Sequence, residues 1–116
     1  MAQTVSLKPV GPTQALSVTN ASHAAVTVSA FNDVDPVVFA AFLNTGTNPV
    51  AVQMAQTGKA PVAVLPVDGT PGNTFVLPAS MQMPVVVECP RAPFDVTMIG
   101  TVAGPAIVYV WPVGPQ

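Results

Sequence analysis

Fourteen prolines are spread along this chain of 116 residues, and their spacing constrains the fold more than any other feature of the sequence. A proline in a helix interior removes a hydrogen bond and clashes with the preceding turn. The positions that interrupt most candidate helical windows are Pro9, Pro36, Pro61, Pro66, Pro78 and Pro84. Because the prolines stand between apolar segments rather than in clusters, we interpret them as punctuation between β-strands.

The apolar segments repeat with a period of two, which is the period of a strand with one buried face. Alternation is clearest in Ala24–Phe31, Val50–Gln56 and Asp95–Gly100. Val85–Cys89 and Ala106–Trp111 are more continuously apolar, and this pattern predicts strands that are covered on both faces. The sequence therefore predicts an all-β chain.

Turn signals divide the chain into about eight or nine short strands. They fall near residues 15–19, 24–31, 37–44, 50–56, 61–65, 74–77, 84–89, 94–100 and 106–111, and residues 4–7 are a further strand or only an arm. Asn44–Asn48 has the glycine and asparagine pattern of a hairpin turn. This spacing predicts a single-domain antiparallel β-sandwich over residues 1–116, jelly-roll-like in topology. An immunoglobulin-like sandwich is the alternative, although its Cys…Trp…Cys signature is missing. The proline-rich ends, residues 1–12 and 112–116, are predicted to be extended arms.

Only eight residues carry a charge, whereas an average domain of this length, at about 25% charged, would have about 29. Three basic residues cannot form the positive surface that nucleic-acid binding requires. The longest apolar run, Val37–Leu43, is far shorter than a membrane span, and Met1–Val10 lacks the pattern of a secretory signal. We therefore expect no nucleic-acid partner and no membrane partner, and a chain that is made and used in a cytoplasm or is exported only by lysis.

Residues that carry out chemistry are few. One cysteine excludes an internal disulfide, and together with the single histidine it excludes most zinc sites. Cys89 is interpreted as a small buried hydrophobe and His23 as a loop or edge residue. Asp33 and Asp35 share a loop in which turn capping is favoured over calcium binding. We predict no catalytic residues, no metal ligands and no cofactor, and hence a protein that is not an enzyme.

The shortage of charge also predicts an assembly. Solubility normally depends on a charged surface, so much of this exterior must be neutral or apolar. Large apolar patches mark interfaces, and permanent interfaces are the more hydrophobic ones. The chain is therefore expected to work in contact with other proteins.

The order of the segments resembles that of small cement, or decoration, proteins of tailed-bacteriophage heads. Phe42–Val52 is similar to their strand, Asn-x-Gly turn and second strand. Phe75–Pro78 and the strand-forming segments after it, as far as Val110, are similar to their Leu-Pro turn and closing strands. The likeness covers roughly Leu16–Gly114, and the chain departs from the family in its low charge and high proline content.

The resemblance implies a non-enzymatic virion protein on the capsid exterior, assembled in the cytoplasm of a bacterial host. Such proteins bind the outer capsid surface, bridge neighbouring major capsid protein subunits and act as dimers or trimers. The implied partners are thus the major capsid protein and further copies of this chain. The implied interface lies on the two arms and comprises Val5, Leu7, Pro9, Val10, Trp111, Pro112 and Val113.

Two other functions stay open at this point. The chain also suits another virion β-module, such as a head-fibre base or a tail or baseplate part. A carbohydrate-binding sandwich is the third reading, for which Tyr109 and Trp111 would present aromatic rings on one face of a strand.

Overall fold

The computed structural model describes residues 7–32 and 36–115. These residues contain nine β-strands and no helix, and so no helix able to cross a membrane. The strands are β1 (Leu7–Pro9), β2 (Gln14–Val18), β3 (Val26–Val28), β4 (Phe39–Asn44), β5 (Val50–Gln56), β6 (Phe75–Leu77), β7 (Val85–Glu88), β8 (Phe94–Gly100) and β9 (Ala106–Pro115). Prolines stand directly before β5, β7, β8 and β9 and directly after β6, as expected of a residue that cannot donate to a ladder.

The strands form two antiparallel sheets. Sheet A has the order β2–β9–β4–β7, with β1 pairing on the β2 side of β9, and sheet B has the order β3–β8–β5–β6. The pairs are nested along the chain, since β2 pairs with β9, β3 with β8, β4 with β7 and β5 with β6. A long antiparallel hairpin rolled on itself in this way has the jelly-roll topology. The predicted fold class, an all-β antiparallel sandwich, is confirmed.

The core lies between the inner faces of the two sheets, and half of its residues are valine. Fourteen buried residues form one cluster that draws on both sheets. Phe42 of β4 meets Phe75 of β6 edge to face, with ring centroids 5.5 Å apart, and so links sheet A to sheet B. An aromatic pair of this geometry adds about 0.5–1.5 kcal/mol beyond the burial of its area.

The turn between β4 and β5 is not the predicted hairpin. β4 belongs to sheet A and β5 to sheet B, so the turn crosses between the sheets. The fully buried side chain of Asn44 holds it. Its Nδ2 donates to the carbonyl oxygens of Asn48 (2.9 Å) and Pro78 (3.1 Å), and its Oδ1 accepts from the amide of Gly46 (3.0 Å). Asparagine and glycine suit both kinds of turn, so the pattern alone does not separate them.

The predicted strand near residues 61–65 is part of a loop that connects β5 to β6. Its backbone groups bond to side chains instead of to a strand. The amide of Ala63 donates to Ser22 Oγ (3.0 Å), and Asn73 Oδ1 accepts from the amide of Val64 (2.9 Å). The segment is therefore satisfied without joining a sheet.

The segments predicted as extended arms are paired in sheet A at residues 7–9 and 112–115, whereas residues 10–12 belong to no strand. β1 pairs with the end of β9, from Leu7 opposite Pro115 to Pro9 opposite Val113. β9 extends through Pro115, so residues 112–115 are strand. Residues 1–6 lie outside the described residues.

Pro112 lies in the middle of β9 because the neighbouring strand bulges there. The four residues of Val10–Thr13 stand opposite only Trp111 and Pro112, between the paired stretches of β1 and β2. The carbonyl of Pro112 accepts from the amide of Val10 (3.0 Å), so its ring nitrogen faces the same, bulged side. A strand interior tolerates proline at such a bulge.

Candidate interaction surface

The single histidine and the single cysteine lie beside strands of different sheets. His23 precedes β3, where its Nδ1 is 2.7 Å from the carbonyl oxygen of Ala24 and its amide donates to the carbonyl of Met98 (2.8 Å). Cys89 follows β7 and is half-buried, with a free thiol. Burial raises the pKa of this thiol to about 11, and the negative charge of Glu88 acts in the same direction. Because only the thiolate is a good nucleophile, Cys89 is unreactive at neutral pH.

The buried carboxylate of Asp95 has a structural role. Its Oδ1 accepts from Thr27 Oγ1 on β3 (2.8 Å), and its Oδ2 accepts from the amide of Gly58 (3.3 Å). These bonds connect β8 to the neighbouring strand and to the loop after β5. A buried carboxylate with hydrogen-bond donors on both oxygens is a satisfied group.

The other described carboxylates are exposed and dispersed. Asp68 lies in the loop between β5 and β6, and Glu88 lies on β7. In residues 7–32 and 36–115, no three His, Cys, Asp or Glu side chains come together in a group that could hold a metal ion. Asp33 and Asp35, the residues considered for calcium, lie outside that range.

The outer face of sheet B is covered by the chain itself. Ser22 fastens this cover, because its Oγ lies 3.2 Å from Thr97 Oγ1 on β8 and accepts from the amide of Ala63 in the loop. Thr97 and Ala51 point away from the core, yet both are fully buried. The loop between β5 and β6 therefore acts as a third layer over sheet B.

The outer face of sheet A is apolar and partly exposed. Its side chains share a face because they stand directly opposite one another across neighbouring strands. We call this surface the sheet-A face, and it comprises Ala15, Ser17, Phe39, Ala41, Leu43, Val86, Glu88, Ile107, Tyr109 and Trp111. Only Glu88 is charged. Ile107 and Tyr109 are each 37% exposed and Val86 is 42% exposed.

Two predictions about strand coverage are wrong, in opposite directions. The continuously apolar segments that form β7 and β9 were predicted to be covered on both faces, yet β9 exposes one face and three of the four residues of β7 are exposed. The alternating segment that forms β8 was predicted to have one buried face, yet six of its seven residues are buried. β8 accepts this burial because Asp95 and Thr97 are hydrogen-bonded. An apolar face indicates that a cover is favourable, and does not say which chain provides it.

The predicted interface residues fall in three places. Val5 lies outside the described residues. Leu7 and Pro9 lie in β1 at the edge of sheet A, and Trp111 lies half-buried on the sheet-A face. Three others are buried within sheet A, namely Val10, Pro112 and Val113. The buried three contribute to the fold, so only Trp111, Leu7 and Pro9 are accessible to a partner.

Sequence reasoning missed most of the sheet-A face. Phe39, Leu43 and Ile107 were assigned to strands without a role at the surface. The signal that locates them is the period of two: Ile107, Tyr109 and Trp111 alternate along β9 with the buried Val108. The neighbours on β4 then follow from the strand register, which the sequence does not provide.

An open groove of about 520 Å³ lies between β5 and β7. Gln53 and Cys89 are among its lining residues. The Oε1 atom of Gln53 is buried and has no hydrogen-bond partner within the described part of the chain. The thiol of Cys89 is protonated at neutral pH, which differs from the paired nucleophile and base of covalent catalysis.

Comparisons with known protein families, with curated proteins and with solved structures give no match to this chain. Fold and surface chemistry are therefore the basis for a functional proposal.

Proposed function

We propose that the protein is a non-enzymatic structural protein of a phage virion, which binds the outer capsid surface and bridges neighbouring major capsid protein subunits. The sheet-A face is the observation that supports it best. Three aromatic residues, Phe39, Tyr109 and Trp111, lie there on the adjacent strands β4 and β9. A contiguous apolar patch on a protein exterior is characteristic of an interaction surface.

The fold alone does not distinguish a capsid protein from a lectin, whereas the chemistry of the sheet-A face favours a protein partner. Jelly rolls occur in viral capsid proteins and in lectins, and a fold alone does not define function. A sugar site needs several placed polar groups besides its aromatic rings. The sheet-A face offers only Ser17, Glu88 and the hydroxyl of Tyr109, which favours contact with protein.

A protein of this kind stabilises a shell by mass action. It binds the assembled lattice and not the free subunits. A free concentration of about 100 times Kd therefore stabilises the lattice by about 2.7 kcal/mol at each site. Bridging two subunits links this gain to the integrity of the lattice. Shell heat resistance is therefore expected to rise with occupancy.

Co-sedimentation with phage shells that lack this protein tests the proposal. We expect saturable binding, at least tenfold weaker binding of Tyr109→Asp, and unchanged binding of the matched control Val62→Asp. Val62 is 61% exposed, on the loop over sheet B, so the control places the same charge on the other side of the sandwich. Circular dichroism verifies that both variants fold. Failure of the wild type to bind shells, or equal binding by both variants, overturns the proposal.

Two alternative functions have distinct outcomes in related assays. Another virion β-module, in a fibre, tail or baseplate, is supported if the protein binds purified tails instead of shells. A carbohydrate-binding module is favoured by one observation, the shared face of Tyr109 and Trp111 on β9. Binding on a glycan array that Tyr109→Ala abolishes would support that module instead.

A further inference from the structure

β7 is the least protected sheet edge in the described chain. Soluble proteins protect such edges with charge, proline, bulges or short strands. The β1–β2 edge of sheet A contains the bulge at Val10–Thr13, and the edge strands of sheet B, β3 and β6, have three residues each. β7 has four residues, three of them valine, and its single charge is that of Glu88. Val85 and Val86 are 39% and 42% exposed.

The hydrogen bonds to β4 determine which backbone groups of β7 are available. The amide of Cys89 donates to the carbonyl of Val38 (3.2 Å), in register with the β4–β7 ladder. Alternation along an antiparallel strand then directs the backbone groups of Val87 and Val85 toward β4 as well. The N–H and C=O groups of Val86 and Glu88 point away from β4, within the plane of the sheet and toward solvent at its edge.

Two prolines bound this free edge. Pro84 and Pro90 occupy the next outward-facing positions on either side, and neither has an N–H to donate. The edge therefore offers two donors, at Val86 and Glu88. Both prolines are three residues from Val87, so the pattern is symmetric about that residue.

We propose that β7 is a dimer edge, on which β7 of a second copy pairs antiparallel about a two-fold axis at Val87. In this register Val86 lies opposite Glu88 of the second copy, and the reverse pair is equivalent. Each pair exchanges two hydrogen bonds, which satisfies every outward N–H and C=O group of Val86 and Glu88 in both copies. Pro84 meets Pro90 of the second copy at each end, where neither copy has an N–H to donate and the ladder stops. An edge that matches itself in this way is isologous, as a two-fold dimer requires.

The size of the contact predicts its strength. Stable complexes bury about 1,200–2,000 Å² in total, and a four-residue ladder lies below that range. Met83, which is 78% exposed just before β7, adds apolar area at the margin. We therefore expect a reversible, concentration-dependent dimer.

The dimer also explains how the protein could bridge two capsid subunits. This bridging argument rests on the proposed function, whereas the dimer itself does not. A two-fold axis normal to the sheet joins the two A sheets into one sheet of ten strands. Both sheet-A faces then look the same way, so one dimer presents two apolar faces to two neighbouring subunits. Bridging thus follows from the pairing of β7.

Sedimentation equilibrium of the protein without shells tests the dimer separately from capsid binding. We expect a monomer–dimer equilibrium between micromolar and millimolar concentration. Val86→Glu places a carboxylate opposite Glu88 of the second copy and should raise Kd several-fold, whereas Val86→Lys places an ammonium there and should lower Kd several-fold. The double variant Val86→Glu with Glu88→Lys restores the opposite charges and should return Kd to the wild-type value or below.

Val76 provides the matched control, because it is a 51% exposed valine on the edge strand β6 of the other sheet. Val76→Glu and Val76→Lys should leave Kd unchanged. Urea midpoints verify that each variant folds. A wild type that is monomeric at millimolar concentration overturns the proposal. So do charges at position 86 that change Kd in the same direction, or control variants that change it.

Discussion

Replacing Asn44 by alanine tests whether one buried side chain holds the turn that joins the two sheets. The substitution removes three hydrogen bonds, to the carbonyls of Asn48 and Pro78 and from the amide of Gly46. At about 1 kcal/mol each, the free energy of unfolding should fall by about 3 kcal/mol. For a domain of this size that lowers Tm by roughly 10–15 °C. Urea unfolding followed by the fluorescence of Trp111, the only tryptophan, measures the loss.

Two further variants separate the hydrogen bonds of Asn44 from its packing. Asn44→Asp keeps the shape but sets a carboxylate against two carbonyl oxygens. This raises the folded-state pKa of the new carboxyl above its unfolded value of about 3.9, so the variant should gain stability relative to wild type as pH falls from 7 toward 4. Asn48→Ala is the control, because that side chain donates only to the exposed Thr47 Oγ1 (3.3 Å). A loss of less than about 0.5 kcal/mol in Asn44→Ala refutes the reasoning.

Two other predictions use the same protein without a partner. Gly46→Ala should destabilise the fold by about 1–3 kcal/mol, because a Cβ there would lie 2.4 Å from Ala106 Cβ, whereas Gly104→Ala, with open space around it, should change unfolding by less than about 0.5 kcal/mol. Equal effects in urea unfolding would contradict this contrast. Ellman's reagent should label Cys89 at pH 8 roughly a hundredfold more slowly in the native than in the unfolded chain, since the thiolate fraction falls from about one in ten to about one in a thousand as the pKa rises from 9.0 to about 11. Equal rates would show that burial does not protect the thiol.

Strand positions could be predicted from the sequence because residues that face the core recur with a period of two. Val50–Gln56 and Phe94–Gly100 of sheet B place alternate apolar residues in the core between the two sheets, and prolines mark where several strands begin. The end of β9 could not be predicted in the same way. Pro112 looks like a terminator, and the bulge at Val10–Thr13 that accommodates it lies at the opposite end of the chain.

The interaction surface could be predicted only in part, for a related reason. Trp111 was expected at an interface and does lie on the sheet-A face. Its neighbours Ala41 and Val86 join that face through the register of β9, β4 and β7, which is a long-range property. The turn at Asn44–Asn48 shows the same limit, because local turn chemistry does not reveal which sheet receives the next strand.

The position of β9 affects when the fold can form during synthesis. β9 lies between β2 and β4 in sheet A, yet it is made after the other eight strands that the structure describes. Until it emerges, Leu16 and Phe42 lie on strands that lack their common neighbour, and the closing contacts join segments far apart in sequence. Contacts of that kind form slowly. Until β9 is made, the growing chain therefore exposes unpaired strand edges and apolar surface. Pairing of β9 with β2 and β4 covers them, and from then on nascent copies no longer pair with one another through these edges.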